Sequence, residues 1–176
     1  GQLDIELTER CNNNCIHCSI NLPANDKRAA GNELTTEKIK NILSEAASLG
    51  CLRVRFTGGE PLLREDFEEL YLFARRLGLK VLLFTNATFI NEGFANLFSR
   101  VPPLEKIEVT VYGMKRSSCE AITRNPGSFA SAWRGVNLLI QKKIPFLVKG
   151  AYLPANKGEM EEFESWTHSL PGMKDL

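Results

Sequence analysis

No apolar run in the 176-residue chain approaches the 18 or so residues that a membrane helix needs. The N-terminus, GQLDIELTER, lacks the basic start and apolar stretch of a secretory signal. Net charge is nearly absent too: the formal value is +1, which gives neither the basic field of a nucleic-acid binder nor a polybasic membrane anchor. No internal repeat and no low-complexity tract stands out. Five cysteines is an odd count for a disulfide framework, and three of them crowd one loop. These absences leave a reduced, cytoplasmic protein with neither membrane nor nucleic acid as partner. The chain starts at Gly1 instead of Met and enters an apolar strand at once, as a trimmed or excised domain would.

The composition supports a compact core. Hydrophobic residues make up 43% and charged residues 24%, a normal globular profile. A chain of this length forms one domain and buries roughly 70% of its unfolded surface without staples.

Strand and helix signals alternate along the sequence. Leu3, Ile5 and Leu7 alternate with Asp4, Glu6 and Thr8, a strand pattern. A polar stretch from Pro23 to Glu33 follows the cysteine loop. Thr35 or Thr36 then caps a helix with Ile39, Ile42, Leu43 and Ala46 on one face and Gly50 at its end. Further strands are expected at Leu52–Phe56, Lys80–Thr85, Lys106–Val111 and Phe146–Tyr152. Helices are expected at Glu65–Leu77, Asn91–Ser99, Ser128–Lys142 and Glu159–His168. In the second of these five helices, Phe67, Leu70, Phe73, Ala74 and Leu77 form the apolar stripe.

About five β-α units in series predict an α/β fold with a parallel sheet and right-handed crossovers. Three strands carry a polar face: Asp4, Glu6, Thr8; Arg53, Arg55, Thr57; Glu108, Thr110, Tyr112. Strands covered on both sides would read as continuous apolar runs. The pattern therefore predicts a curled sheet, a partial TIM-like barrel, with its concave face turned to a ligand and its chemistry at the C-terminal strand ends. Glu6 and Arg55 are expected to pair inside it, since isolated buried charges are costly.

The chemistry-bearing residues fall at those strand ends. Cys11, Cys15 and Cys18 read CNNNCIHC, a C-x3-C-x2-C spacing. Three buried core thiols, a zinc site completed by His17 and a cluster-binding triad are the readings open to it. A polar, Asn-rich loop is unlike core. His17 adjoins Cys18 and is badly placed to close one tetrahedron with it. A structural zinc site and an ordinary [4Fe-4S] cluster each take four protein ligands; the triad leaves one metal corner free. After the second strand comes Gly58-Gly59-Glu60-Pro61, where glycines permit close approach and Pro61 fixes the turn.

Together, CNNNCIHC and GGEP one strand–helix unit later resemble the core domain of the radical S-adenosylmethionine enzymes. The resemblance implies a (β/α)6-type partial barrel. It also implies a [4Fe-4S] cluster held by Cys11, Cys15 and Cys18, with S-adenosylmethionine on the fourth iron. Reductive cleavage of S-adenosylmethionine would give a 5′-deoxyadenosyl radical that abstracts a substrate hydrogen. By the same resemblance, Gly58, Gly59, Glu60 and Pro61 receive the methionyl amino group and His17 lies near the adenine. Asn86, in the strand end TNAT (Thr85, Asn86, Thr88), faces the cofactor or forms a turn. Thr110 touches its carboxylate or ribose, and Arg124, in EAITRNPGSF, pairs with the carboxylate or is a surface charge. Lys149 and Asn156 are further candidates. The stretch from VYGMKRSSC to GAYLPAN resembles enzymes that modify ribosomally made peptides or proteins, including maturases with a C-terminal SPASM domain. That implies a peptide or protein substrate and a flavodoxin- or ferredoxin-like electron donor. Residues 1–176 are then expected to be a core domain without the auxiliary-cluster domain, and Cys51 and Cys119 incidental thiols. A cluster-carrying or zinc-binding interaction module without cleavage activity is the alternative.

Overall fold

A computed structural model describes residues 1–20, 22–170 and 173. Seven strands are present among them: β1 Gln2–Thr8, β2 Arg10–Cys11, β3 Leu22–Pro23, β4 Arg53–Gly58, β5 Lys80–Thr85, β6 Leu104–Thr110 and β7 Phe146–Lys149. The seven helices are α1 Lys27–Asn32, α2 Thr36–Ser48, α3 Phe67–Arg76, α4 Glu92–Arg100, α5 Arg116–Thr123, α6 Ser128–Gln141 and α7 Met160–Ser169. Five strands form one parallel sheet in the order β1-β4-β5-β6-β7. The sheet is the expected partial barrel and does not close. The short strands β2 and β3 pair separately, in parallel. No helix among the described residues is long and apolar enough to cross a membrane.

Each β-α unit forms where its local signals say it should. The Thr35 side chain accepts a hydrogen bond from the Lys38 N–H and so caps α2, and Ile39 and Leu43 on its inner face are fully buried. In α3, Phe67, Leu70, Tyr71 and Ala74 are fully buried, while Phe73 and Leu77 are only partly covered. Tyr71 takes an inner place because its hydroxyl can donate to the Val101 carbonyl at 2.5 Å, which satisfies a polar atom inside an apolar layer. Alternating strand residues point under the helices: Ile5 and Leu7, Val54 and Phe56, Val81 and Leu83, Ile107 and Val109 are all buried. Phe67 joins this sheet layer to the helices, with ring contacts to Phe56 at 6.1 Å, Tyr71 at 6.1 Å and Phe94 at 5.7 Å.

Several expectations need correction. The polar stretch after the cysteines contains α1, started by Asp26, whose carboxylate accepts from the Ala29 N–H. Helix α5 lies in a segment that carried no helix expectation; its buried face is short, Ser118, Cys119, Ile122 and Thr123. The last sheet strand stops at Lys149 instead of Tyr152, because Asn156 folds the next residues into a loop by bonding the carbonyls of Tyr112 and Ala151 and the Leu153 N–H. Arg55 pairs with Asp4, not with Glu6. The parallel register sets Asp4 opposite Arg55 and Glu6 opposite Thr57, so the nearer carboxylate takes the guanidinium. Arg55 does face the concave side, over the Phe84 ring at 5.1 Å.

Phe67→Ala should destabilise the fold by about 3–5 kcal/mol, since it empties the junction of sheet and helices. Urea denaturation checks this; a loss below about 1 kcal/mol would contradict the packing described.

Candidate cofactor site

The site is assembled at the C-terminal ends of β1, β4, β5 and β6. Just past β1, backbone meets backbone. The Gly59 N–H donates to the Thr8 carbonyl at 2.7 Å and the Glu60 N–H to the Arg10 carbonyl at 2.9 Å. A Cβ on Gly58 would overlap the Thr8 carbonyl oxygen, and one on Gly59 would overlap that of Arg10. Gly58 also has φ +130°, where side chains are strained. Both glycines are thus required first by the chain's own backbone, a demand that sequence reasoning assigned to a ligand.

Glu60 is completely buried. Its carboxylate accepts from the Leu62 N–H at 3.1 Å, the Thr85 hydroxyl at 2.8 Å and the Asn86 N–H at 2.8 Å. It therefore ties the GGEP turn to the end of β5. Burial pushes its carboxyl up to about 7, against these three donors, which hold it down. Pro61, also buried, opens the 3-10 turn that follows.

The cysteine loop hangs on asparagines. Asn12 donates to the Thr88 hydroxyl at 2.9 Å and accepts from the Asn86 amide at 3.0 Å. Asn125 donates to the Asn12 carbonyl and to the side chain of buried Asn13 at 3.0 and 2.9 Å. The N–H groups of Asn14 and Ile16 donate to the last carbonyls of α5, Thr123 at 2.8 Å and Ile122 at 3.0 Å. Helix C-terminal carbonyls lack partners within the helix, so α5 supplies the docking edge for this loop.

None of the three cysteines is in a disulfide. With Asn13, Ile20, Thr57, Gly58, Gly59, Phe84, Thr85, Asn86, Thr110 and Tyr112 they line one cavity of about 170 Å³. Donors point at the sulfurs: the Asn13 N–H (3.4 Å) and Asn86 amide (3.7 Å) reach Cys11 Sγ, and the Ile20 N–H (3.4 Å) reaches Cys18 Sγ. Burial pushes the Cys11 thiol up to about 11, and the Glu60 carboxylate and the other two cysteines add to the rise. Burial raises Cys15 as well, against a hydrogen bond from Tyr112 that lowers it. Such thiols ionise readily only beside a strong positive charge, and a bound metal supplies one. Among the described residues no three His, Cys, Asp or Glu side chains are placed to hold a single ion. In a cubane each thiolate takes its own iron, so the three sulfurs need to face a common cavity without converging on one atom. The donor set fits a cluster.

Of the residues expected at the cofactor, Cys11, Cys15, Cys18, Gly58, Gly59, Asn86 and Thr110 share this cavity. Glu60 and Pro61 lie behind its wall. His17 is exposed and packs edge-on against Tyr112, with centroids 5.1 Å apart. Arg124 is the left-handed C-cap of α5 at φ 52°; it is exposed and does not line the cavity. Lys149 is exposed at the end of β7, and Asn156 is buried as the loop staple described above. Thr57, Phe84 and Tyr112 were not expected as site residues, although Thr57 and Tyr112 already stood at the ends of the polar rows. Cys119 is buried on the inner face of α5 and Cys51 is half-buried, and neither lines the cavity.

This arrangement of parallel strands, cysteine triad and glycine turn defines a radical-enzyme core, and comparison with known proteins agrees. Residues 5–166 match the family described as the Radical SAM superfamily, so the chain belongs to that superfamily. It is 30% identical over 155 residues to an AdoMet-dependent heme synthase of Methanosarcina barkeri (strain Fusaro / DSM 804), covering 88% of this chain and 43% of that protein. It is 34% identical over 140 residues to a PqqA peptide cyclase of Gluconobacter oxydans (strain 621H), covering 80% of this chain and 38% of the relative. The chain spans less than half the length of these relatives. Among solved structures, native anSMEcpe with bound AdoMet and Kp18Cys peptide superposes with a TM-score of 0.63 at 22% identity, over 84% of this chain and 42% of that one. At that identity the likeness shows the fold.

Two outcomes check the site. Gly59→Ala should displace the turn and abolish cofactor binding while the distant core stays folded, as read by isothermal titration and circular dichroism; wild-type affinity would contradict the close approach. Between pH 4.5 and about 7, native Glu60 holds a proton that the unfolded chain has released. Its contribution to stability therefore falls as pH rises through that window. Urea midpoints at pH 5 and pH 8 should show this slope in the wild type and a smaller one in Glu60→Gln; equal slopes would remove Glu60 as its source.

Proposed function

We propose that this chain is the core of an enzyme that binds a [4Fe-4S] cluster and S-adenosylmethionine and removes a hydrogen atom from a peptide or protein side chain. The observation that carries the reading is the single cavity walled by the three cysteines and by Gly58 and Gly59. When bound, the cluster supplies the electron that cleaves S-adenosylmethionine to methionine and the 5′-deoxyadenosyl radical.

The chain's own residues do the rest. Cys11, Cys15 and Cys18 would hold the cluster as thiolates. The N–H of Asn13, the amide of Asn86 and the N–H of Ile20 stabilise that negative sulfur. Backbone carbonyls of the GGEP turn receive the methionyl amino group, and the buried Glu60 holds the turn in place. The Thr110 hydroxyl would serve the carboxylate or ribose and His17 the adenine, while Arg124, exposed and outside the cavity wall, would have to swing inward to pair with the carboxylate. Phe84, Ile20 and Tyr112 give the cavity an apolar side.

Peptide as substrate class is supported by the similarity to PqqA peptide cyclase and by the peptide in the anSMEcpe structure. The reading takes residues 1–176 as the core domain of a longer cytoplasmic protein, reduced by a flavodoxin- or ferredoxin-like donor. Anaerobic reconstitution should give about four irons per chain, and reduction with S-adenosylmethionine should release 5′-deoxyadenosine. Cys15→Ala should lose both and keep the fold. A loaded cluster without cleavage would favour a carrier module, and stoichiometric zinc without iron would overturn the assignment.

A further inference from the structure

Tyr112 stands just past β6 and lines the same cavity as the three cysteines. Its hydroxyl meets the Cys15 sulfur and lies 3.2 Å from His17 Nε2. Its ring meets the His17 ring edge-on at 73°. The backbone there is fixed: the Asn156 amide donates to the Tyr112 carbonyl at 2.7 Å, and the Val111 N–H donates to the Lys149 carbonyl at 2.9 Å. The hydroxyl is therefore held at the sulfur by a tethered strand end instead of by a mobile loop.

A phenol has one hydrogen to give. With Cys15 as a thiolate, that hydrogen goes to sulfur, and the second contact of the Tyr112 oxygen must be as an acceptor. His17 then carries its proton on Nε2 and donates it. The result is a chain of donors, His17 to Tyr112 to Cys15, in which each bond polarises the next.

Resting on the cluster assignment above, we infer that Tyr112 is a positioning residue that sets the reduction potential of the cluster through its hydrogen bond to Cys15, with His17 reinforcing that bond. A donor to a ligating sulfur stabilises the form carrying more negative charge. When the cluster accepts one electron from a low-potential donor protein, the added charge falls partly on sulfur, and the Tyr112 hydroxyl favours that state. This role belongs to the side chain's oxygen, not to its bulk.

The test is a reductive titration, with dithionite and redox mediators, of reconstituted wild type and Tyr112→Phe, followed by electron paramagnetic resonance without S-adenosylmethionine. Phe keeps the ring against His17 and removes the donor. The variant should hold the same iron and show a more negative midpoint. Up to about tenfold is expected in the one-electron equilibrium, or ~59 mV. An unchanged or more positive midpoint in an iron-replete variant would overturn the inference while leaving the cluster assignment standing. Absence of iron from the wild type itself would instead sink that assignment. If Tyr112→Phe does not hold iron, His17→Ala takes its place: it leaves the hydroxyl, removes its reinforcement and should lower the midpoint by less. No shift there overturns the inference.

Discussion

The site rests on the seam where the backbone of Gly58 to Glu60 lies against that of Thr8 to Arg10. Two hydrogen bonds of 2.7 and 2.9 Å cross it, and a methyl group on either glycine would force it open. This contact brings the loop after β1 and the turn after β4 together, and those two carry the sulfurs and the glycine floor. Opening the seam would widen the cavity on the side where a ligand's amino group is proposed to bind.

Two polar knots hold the seam from outside. Buried Glu60 fastens the turn to Thr85 and Asn86, and Asn86 in turn reaches Asn12 and Cys11. On the other side, Glu33 at the end of α1 accepts from Arg10 Nε at 2.7 Å and from Arg64 at 3.4 Å, while Arg64 also pairs with Asp66 at 2.6 Å. Arg64 is buried and donates to the carbonyls of Leu7 and Leu34 as well, so its charge and its hydrogens are satisfied together. Both knots fasten the loop with polar bonds, neutral donors around Glu60 on one side and ion pairs around Glu33 on the other.

Much of this was legible in the sequence because the signals were local. Alternation in Leu3–Thr8 and Arg53–Thr57 gave strand phase, and that phase put Thr110 and the cysteines at one end of the sheet. The partner of Arg55 was not legible, since it depends on a register that single strands do not encode. Helix α5 escaped because its apolar face is only one turn deep and its main role is to offer carbonyls to the cysteine loop. Tyr112 stood in the polar row already, but its contact with Cys15 and His17 spans more than ninety residues and follows only from the fold. The asparagines of CNNNC marked the loop as unlike core; the side chains of Asn12 and Asn13 and the backbone N–H of Asn14 prove to be its anchors.

The central claim is that three sulfurs hold a cluster whose remaining iron is open to S-adenosylmethionine. Electron–nuclear double resonance on the reduced protein with 15N- and 17O-labelled S-adenosylmethionine tests it most directly. Couplings from the labelled amino nitrogen and carboxylate oxygen to the cluster spin are predicted. A reduced cluster that shows neither coupling in the presence of saturating ligand would contradict it.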